Sequence, residues 1–245
     1  MKTKNWFQTW FNSKYYHILY KNRDEKEAQG FIDNVINRFE IKGNSKILDL
    51  ACGKGRHSAY MAQKGMDVVG LDLSQNSIES AIQNYNYPNL AFGVHDMRYP
   101  SRINYYDYVF NFFTSIGYFE NMKENEKVFH SVNLGLKKNG FFLIDFFNAN
   151  KVISNLVERE EKLVDGIVFY IRRKYENGII TKQIQFEAEY KVFNYKEQVQ
   201  ALMPSDFINM AEKNGFKVIS EFGNYKLDDF ERYSSDRFIL WAQKK

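Results

Sequence analysis

Apolar positions change their spacing along this chain, and each change marks an element. From Asp24 to Phe39, the residues Ala28, Phe31, Ile32, Val35, Ile36 and Phe39 recur three and four apart, which predicts an amphipathic helix ended by Gly43. Lys46–Leu50 predicts a short buried strand. A glycine turn follows, then a helix over Ser58–Lys64 with Gly65 as its C-terminal cap, then a second strand over Asp67–Leu71. Ser74 has the side chain to cap the next helix, which carries Ile78, Ala81 and Ile82. Leu90–Val94 and Tyr106–Phe113 predict further strands and Glu124–Leu136 a helix. Lys137–Gly140 predicts a turn into the nearly all-apolar strand Phe141–Phe147. Strands buried on both faces of a parallel sheet have that composition. The regular alternation of strand and helix predicts a doubly wound α/β fold.

After Phe147 the alternation stops. Ile167–Tyr175 and Ile179–Phe193 are long extended stretches joined across Asn177-Gly178, a strong hairpin signal. On the second stretch Ile184, Phe186, Ala188, Tyr190 and Val192 alternate with Gln185, Glu187, Glu189 and Lys191, so one face packs and the other meets water. Val199–Met203 is a candidate third antiparallel strand. Pro204 then opens a helix over Ser205–Asn214, and Phe216–Phe222 and Phe238–Gln243 close the chain as strands. The organisation read from this is one domain over 1–245. It comprises an N-terminal helical lid over 1–45, a core over 46–150, an antiparallel insertion over 151–203, and a closing helix with two strands over 204–245.

Composition adds limits. The 245 residues suit one sizeable α/β domain, and with 44% apolar residues a large core is within reach. The net charge of +4 is spread thinly; Arg172-Arg173-Lys174 is a short basic run among acids, so no nucleic-acid partner is expected. Cys52 is the only cysteine, which fits a reducing, cytoplasmic setting. No apolar run spans a bilayer, so no membrane partner is expected, and the opening MKTKNWFQTWFNSKYY has no secretion-signal core.

The chemistry is concentrated in ILDLACGKGRHSAYMAQKGMDVVGLDLS, Ile47 to Ser74. It reads as strand, Gly-x-Gly turn, helix, second strand, and an acid at that strand's end. This is the nucleotide-binding arrangement of a topological switch point. Gly53 and Gly55 allow a sharp turn and close approach of a ligand to backbone. Asp72 lies 17 residues beyond Gly55, where a carboxylate can accept both hydroxyls of a ribose. Two features of a dinucleotide site are missing. Ser58 stands where G-x-G-x-x-G needs its third glycine, and Asp49 before the turn would repel a pyrophosphate but suit a cationic ligand.

The segment resembles motif I of the class I S-adenosylmethionine-dependent methyltransferases, and the resemblance continues in chain order. Asp96-Met97 follows the third strand, Asn111–Tyr118 (NFFTSIGY) the fourth, and Leu136–Gly140 (LKKNG) is similar to the family's LKPGG turn, with Asn139 in place of proline. A closer resemblance is to the branch of small-molecule N-methyltransferases with an aromatic N-terminal lid and an antiparallel insertion. It implies a seven-stranded Rossmann-like sheet, S-adenosyl-L-methionine as cofactor and no metal. It also implies roles. Ala51, Gly53 and Gly55 contact the cofactor through backbone, Asp49 lies near the ammonium group, Asp72 takes the ribose, and Leu73 packs on the adenine. Asp96 and Met97 cap the adenine, and Phe112 offers its carbonyl. Tyr16, Tyr20 and Arg23 are candidates for gripping the methionine carboxylate. His57, Tyr118 and Asp145 are the candidates for catalysis or substrate contact. The expected activity is methylation of a nitrogen or oxygen on a small polar metabolite by a monomer or homodimer. An RNA or protein methyltransferase with the same cofactor site, an NAD-dependent oxidoreductase and a non-catalytic binding module on this fold stay open as alternatives.

Overall fold

The structure, a computed structural model, describes residues 6–11, 13–20 and 25–245. Three helices, α1 (Trp6–Phe11), α2 (Lys14–Leu19) and α3 (Glu25–Arg38), precede the first strand. The alternating half then runs β1 (Lys46–Leu50), α4 (Arg56–Gln63), β2 (Asp67–Asp72), α5 (Gln75–Asn84), β3 (Leu90–Val94), β4 (Tyr106–Asn111), α6 (Met122–Gly135) and β5 (Leu136–Phe147). A short helix α7 (Ala149–Ser154) leads into β6 (Arg159–Val164), β7 (Ile167–Glu176), β8 (Ile179–Ala188) and β9 (Lys191–Gln200). The chain closes with α8 (Pro204–Lys213), β10 (Phe216–Phe222) and β11 (Arg237–Lys244).

The main sheet has seven strands in the order β10-β11-β5-β4-β1-β2-β3. Its strands are parallel except β11, which lies antiparallel to both β10 and β5. Strand order reverses about β1, flanked by β2 and β4, so a crevice opens beyond the carboxyl ends of β1 and β4. Asn111 ties those two ends together, its Nδ2 donating to the Leu50 carbonyl at 2.7 Å. Successive side chains feed opposite faces. Leu48, Ile144 and Leu240 pack under Val128 and Phe129 of α6 and Phe207 and Met210 of α8. Ile47, Leu143 and Ile239 pack under Phe31 and Val35 of α3 and Met61 of α4. Both faces of the sheet are thus covered, which is why its strands read as apolar runs.

β6 to β9 form a separate four-stranded antiparallel sheet. Its inner face, Phe169, Ile171, Ile184 and Phe186, packs on Trp10, Tyr15 and Leu19 of the first two helices. Three expectations are corrected here. The stretch Ile179–Phe193 is not one strand: Glu189 and Tyr190 take φ of 51° and 57° and turn the chain between β8 and β9. Val199–Met203 is not a further strand, because β9 already runs to Gln200. Lys137–Gly140 is absorbed into β5, where Asn139 at φ 62° kinks the strand. Sequence reading missed β6, whose charged Arg159-Glu160-Glu161-Lys162 run carries no apolar alternation; Glu160 pairs with Arg173 on β7. No helix among the described residues is long and apolar enough to cross a membrane.

Candidate active site

The turn after β1 is wound left-handed: Ala51, Gly53 and Gly55 have φ of 64°, 57° and 79°. Asp72, at the end of β2, holds it. Its Oδ2 accepts from the Gly53 amide at 2.9 Å and its Oδ1 from the Ser74 amide at 2.8 Å. Burial pushes the Asp72 carboxyl up, and the Ser74 and Gly53 amides oppose that rise. Ser74 caps α5, its Oγ accepting from the Ser77 amide at 3.2 Å.

Gly55 does not line the cleft; its lack of a side chain answers a packing need behind the turn. A Cβ there would sit 2.5 Å from the Phe92 ring, at a φ that L residues avoid. Gly55→Ala is expected to cost about 2–4 kcal/mol of stability from overpacking and backbone strain. The urea midpoint measures it, and an unchanged midpoint would contradict this packing account.

The missing third glycine also has a structural answer. Ser58 occupies that place on α4, and room for it comes from β2: a Cβ on Gly70 would lie 2.7 Å from Ser58 Oγ. Ser58 Oγ donates to Asp49 Oδ2 at 2.5 Å. Asp49 is therefore not placed on the cleft. It is buried beneath the turn, and burial raises its carboxyl to about 7 against the opposing Ser58 hydrogen bond. Any effect of Asp49 on a ligand acts through the turn as charge.

On the other side of the crevice, Leu73, Asp96 and Met97 line the cleft. Both Asp96 oxygens accept from Arg98, at 2.6 Å from Nη2 and 3.0 Å from Nε, and Arg98 Nη1 donates to Glu124 Oε2 at 2.6 Å. Burial acts to raise the Asp96 carboxyl, but its hydrogen bonds with Arg98 outweigh it and hold the group below its ordinary value. Arg98 lies over the Phe119 ring. Both residues line the cleft, and sequence reading had singled out neither. An arginine two residues from a strand-end acid was the available signal.

Beyond β4 the wall is Phe112, Phe113, Thr114 and Ser115, with Ser115 Oγ donating to the Phe112 carbonyl at 2.9 Å. His57 stacks on Phe113 at 5.0 Å, and its Nε2 is enclosed without a partner. Burial, then the Arg56 charge, lowers its pKa to about 3. His57 lines the cleft, unprotonated near neutrality and weakened as a base by its burial. Asp145 is also corrected: it is wholly buried behind the wall, its Oδ1 accepting from Arg237 Nε at 2.7 Å. Tyr118 does line the cleft, edge-on to Phe11 at 5.5 Å.

The roof comes from the N-terminal helices. Phe11, Tyr16 and Tyr20 face the cleft, a cavity of about 390 Å³. Glu197 on β9 fastens them: it accepts from Trp10 Nε1 at 2.5 Å and from Tyr20 Oη at 2.8 Å. Lys182 on β8 donates to Tyr20 Oη at 2.5 Å. No sequence signal marked Lys182 or Glu197. Arg23 lies outside the described residues. Of the remaining expected cofactor contacts, Tyr16, Tyr20, Ala51, Gly53, Asp72, Leu73, Asp96, Met97 and Phe112 all border this one cleft. Among the described residues no cluster of histidine, cysteine and acidic side chains has the form of a metal site.

Residues 41–204 match the profile of a methyltransferase domain family. A Bacillus subtilis protein provisionally named a methyltransferase is 33% identical over 209 residues, 81% of this chain and 84% of its own length. The glycine/sarcosine N-methyltransferase of Parasynechococcus marenigrum is 25% identical over 238 residues, 89% of this chain and 78% of that protein. A further relative, a provisionally named methyltransferase of a Geobacillus strain, is matched over 51% of its length. Among solved structures, CalS10 of Micromonospora echinaspora, an amino pentose methyltransferase with S-adenosylmethionine bound, superposes with a TM-score of 0.74 at 15% identity, covering 95% of this chain and 98% of that one.

Proposed function

Because this chain belongs to the class I S-adenosylmethionine-dependent methyltransferase family, we propose that it transfers the cofactor's methyl group to a nitrogen or oxygen of a small polar metabolite. The observation that carries the acceptor class is the roofed cleft. Cofactor-side residues and the aromatic lid enclose one cavity of about 390 Å³, within the range of small-ligand sites.

The residues present suit the cofactor. Gly53 has open space where a Cβ would stand, so backbone can meet a ligand there. Asp72 keeps lone pairs beyond the two it gives to amides, as a ribose diol requires. Leu73 and Met97 supply apolar surface beside Asp96 for a purine ring. The Phe112 carbonyl and the negative charge of Asp49 behind the turn suit an ammonium. Tyr16 and Tyr20 stand where the amino-acid end would reach the roof.

S-adenosylmethionine supplies, when bound, a methyl already activated by the sulfonium charge. What remains for the protein is alignment and exclusion of water. Phe11, Tyr16, Tyr20 and Phe119 provide the dry surface, and Tyr118 and Ser115 bring hydroxyls to the side an acceptor would enter. With Asp145 turned away and His57 packed against Phe113, Tyr118 is the residue we place against the acceptor. The sequence relative named a glycine/sarcosine N-methyltransferase and the fold neighbour named an amino pentose methyltransferase both support a small amine acceptor.

Calorimetry with S-adenosylmethionine, S-adenosylhomocysteine and NAD tests the cofactor side, and binding of the first two without NAD is expected. An acceptor panel of amines, amino sugars and phenols, followed by S-adenosylhomocysteine release, tests the acceptor. Tight RNA binding with steep salt dependence would overturn the small-metabolite reading.

A further inference from the structure

Resting on that reading, we propose that the buried Asp145–Arg237 pair is a positioning device. It holds a strained two-residue step, Phe113–Thr114, that presents the Phe112 carbonyl and the Thr114–Ser115 edge to the cleft.

Phe113 and Thr114 have φ of 56° and 60°, two successive non-glycine residues in the left-handed region. Such residues cost free energy and persist only where their surroundings over-determine them. Here the surroundings converge on Asp145. Its Oδ2 accepts from the Phe113 amide at 2.8 Å, and its own carbonyl accepts from the Thr114 amide at 3.0 Å. Both strained amides are thus held by one residue, through side chain and main chain. Arg237 completes the hold, Nε donating to Asp145 Oδ1 at 2.7 Å and Nη2 to Thr114 Oγ1 at 3.1 Å. Antiparallel pairing of β11 with β5 makes this possible, because Ile239 sits opposite Asp145 and Arg237 lies one step along the same face. Tyr225 closes the group, its ring 5.3 Å from Phe113 and 5.5 Å from the guanidinium.

A buried ion pair is weak support for stability, since apolar residues of similar volume often do as well. The geometry gives this pair a different task. Its hydrogen bonds end on a segment of the cleft wall whose backbone would otherwise relax. Phe113 also carries the stacked His57 ring, so a relaxed step would move a second cleft residue.

The test compares the unaltered protein with Arg237→Lys and with the charge-neutral double variant Asp145→Asn/Arg237→Gln. Each is titrated with S-adenosylmethionine by calorimetry and melted. Lysine keeps the charge but not the fork that reaches Asp145 and Thr114 together. Both variants are expected to melt cooperatively and to bind roughly ten- to hundredfold more weakly, the scale of a small misplacement. Adding Thr114→Gly to the double variant is expected to recover most of the loss, because glycine takes that φ unaided. Rescue by glycine is an outcome that a purely structural ion pair does not produce. Affinity equal to the unaltered protein in both variants, or a loss that follows melting temperature and is not rescued, overturns this inference alone. No binding by the unaltered protein overturns the cofactor reading and this inference with it.

Discussion

Asp72→Ala is expected to weaken S-adenosylmethionine binding by about a hundredfold or more, the largest effect of any single cleft substitution. The carboxylate would lose its hydrogen bonds to the ribose, each worth about 1.5–3 kcal/mol for a charged partner. It would also free the Gly53 and Ser74 amides, which it holds at 2.9 and 2.8 Å, and with them the turn that the ligand lies on. Asp72→Asn separates the two losses. Its oxygen still accepts, but its NH₂ cannot accept from the second amide, so an intermediate affinity is expected. Calorimetry with both the cofactor and S-adenosylhomocysteine measures this. Wild-type affinity in the alanine variant would remove Asp72 from the site.

The second large effect is a pH dependence built into Asp49. Its carboxyl titrates near 7 in the fold, against 3.8 ordinarily, because burial penalises the charged form. Below about pH 4 the group is protonated folded or unfolded, and the fold's preference for the proton is fully present as stability. That contribution falls away as pH rises through about 7, where the buried group ionises. Asp49→Asn mimics the protonated form and keeps an acceptor for Ser58. The variant is therefore expected to match the unaltered protein below pH 4 and to exceed it progressively towards pH 8. The gain is on the order of 4 kcal/mol, by the linkage of about 1.4 kcal/mol per unit. Urea unfolding across pH 4–8 reads the difference, and a constant difference would show that Asp49 titrates normally. A cationic ligand at the turn favours the ionised form, so binding near pH 6.5 is expected to release protons. Calorimetry in two buffers of different ionisation enthalpy detects that release.

What the sequence made legible was local. β1, β3 and β10 begin and end where their apolar runs do, and Ser74, Asp72 and the two glycines sit in one continuous segment whose spacing fixes their meeting. The less legible parts depend on partners far along the chain. β6 is stabilised across the strand by charge, as Glu160 with Arg173, so its own pattern is silent. Asp145 stands at a strand end, where ligands bind in such sheets, and only Arg237, 92 residues later, decides that it faces inward. Ser58 looked like a departure from a nucleotide motif because its compensating partner, Gly70, lies on the next strand. His57 was ambiguous for a related reason: its neighbours Phe112 and Phe113 come from the segment after β4, and the burial they supply lowers its pKa.

The fastening of the roof sets an order of assembly on a growing chain. Trp10 and Tyr20 are made early, yet Glu197 follows them by 187 and 177 residues, so the first two helices emerge with no surface to settle on. Short helices of this length gain little on their own and must wait for β8 and β9. β11 arrives later still and must slip between β10 and β5, bringing Arg237 to Thr114 across 123 residues of separation. Contacts so distant along the chain are slow to form, because loop closure precedes any reward. The roof and the wall of the cleft therefore close only after partners made far along the chain, Glu197 and Arg237, have joined them.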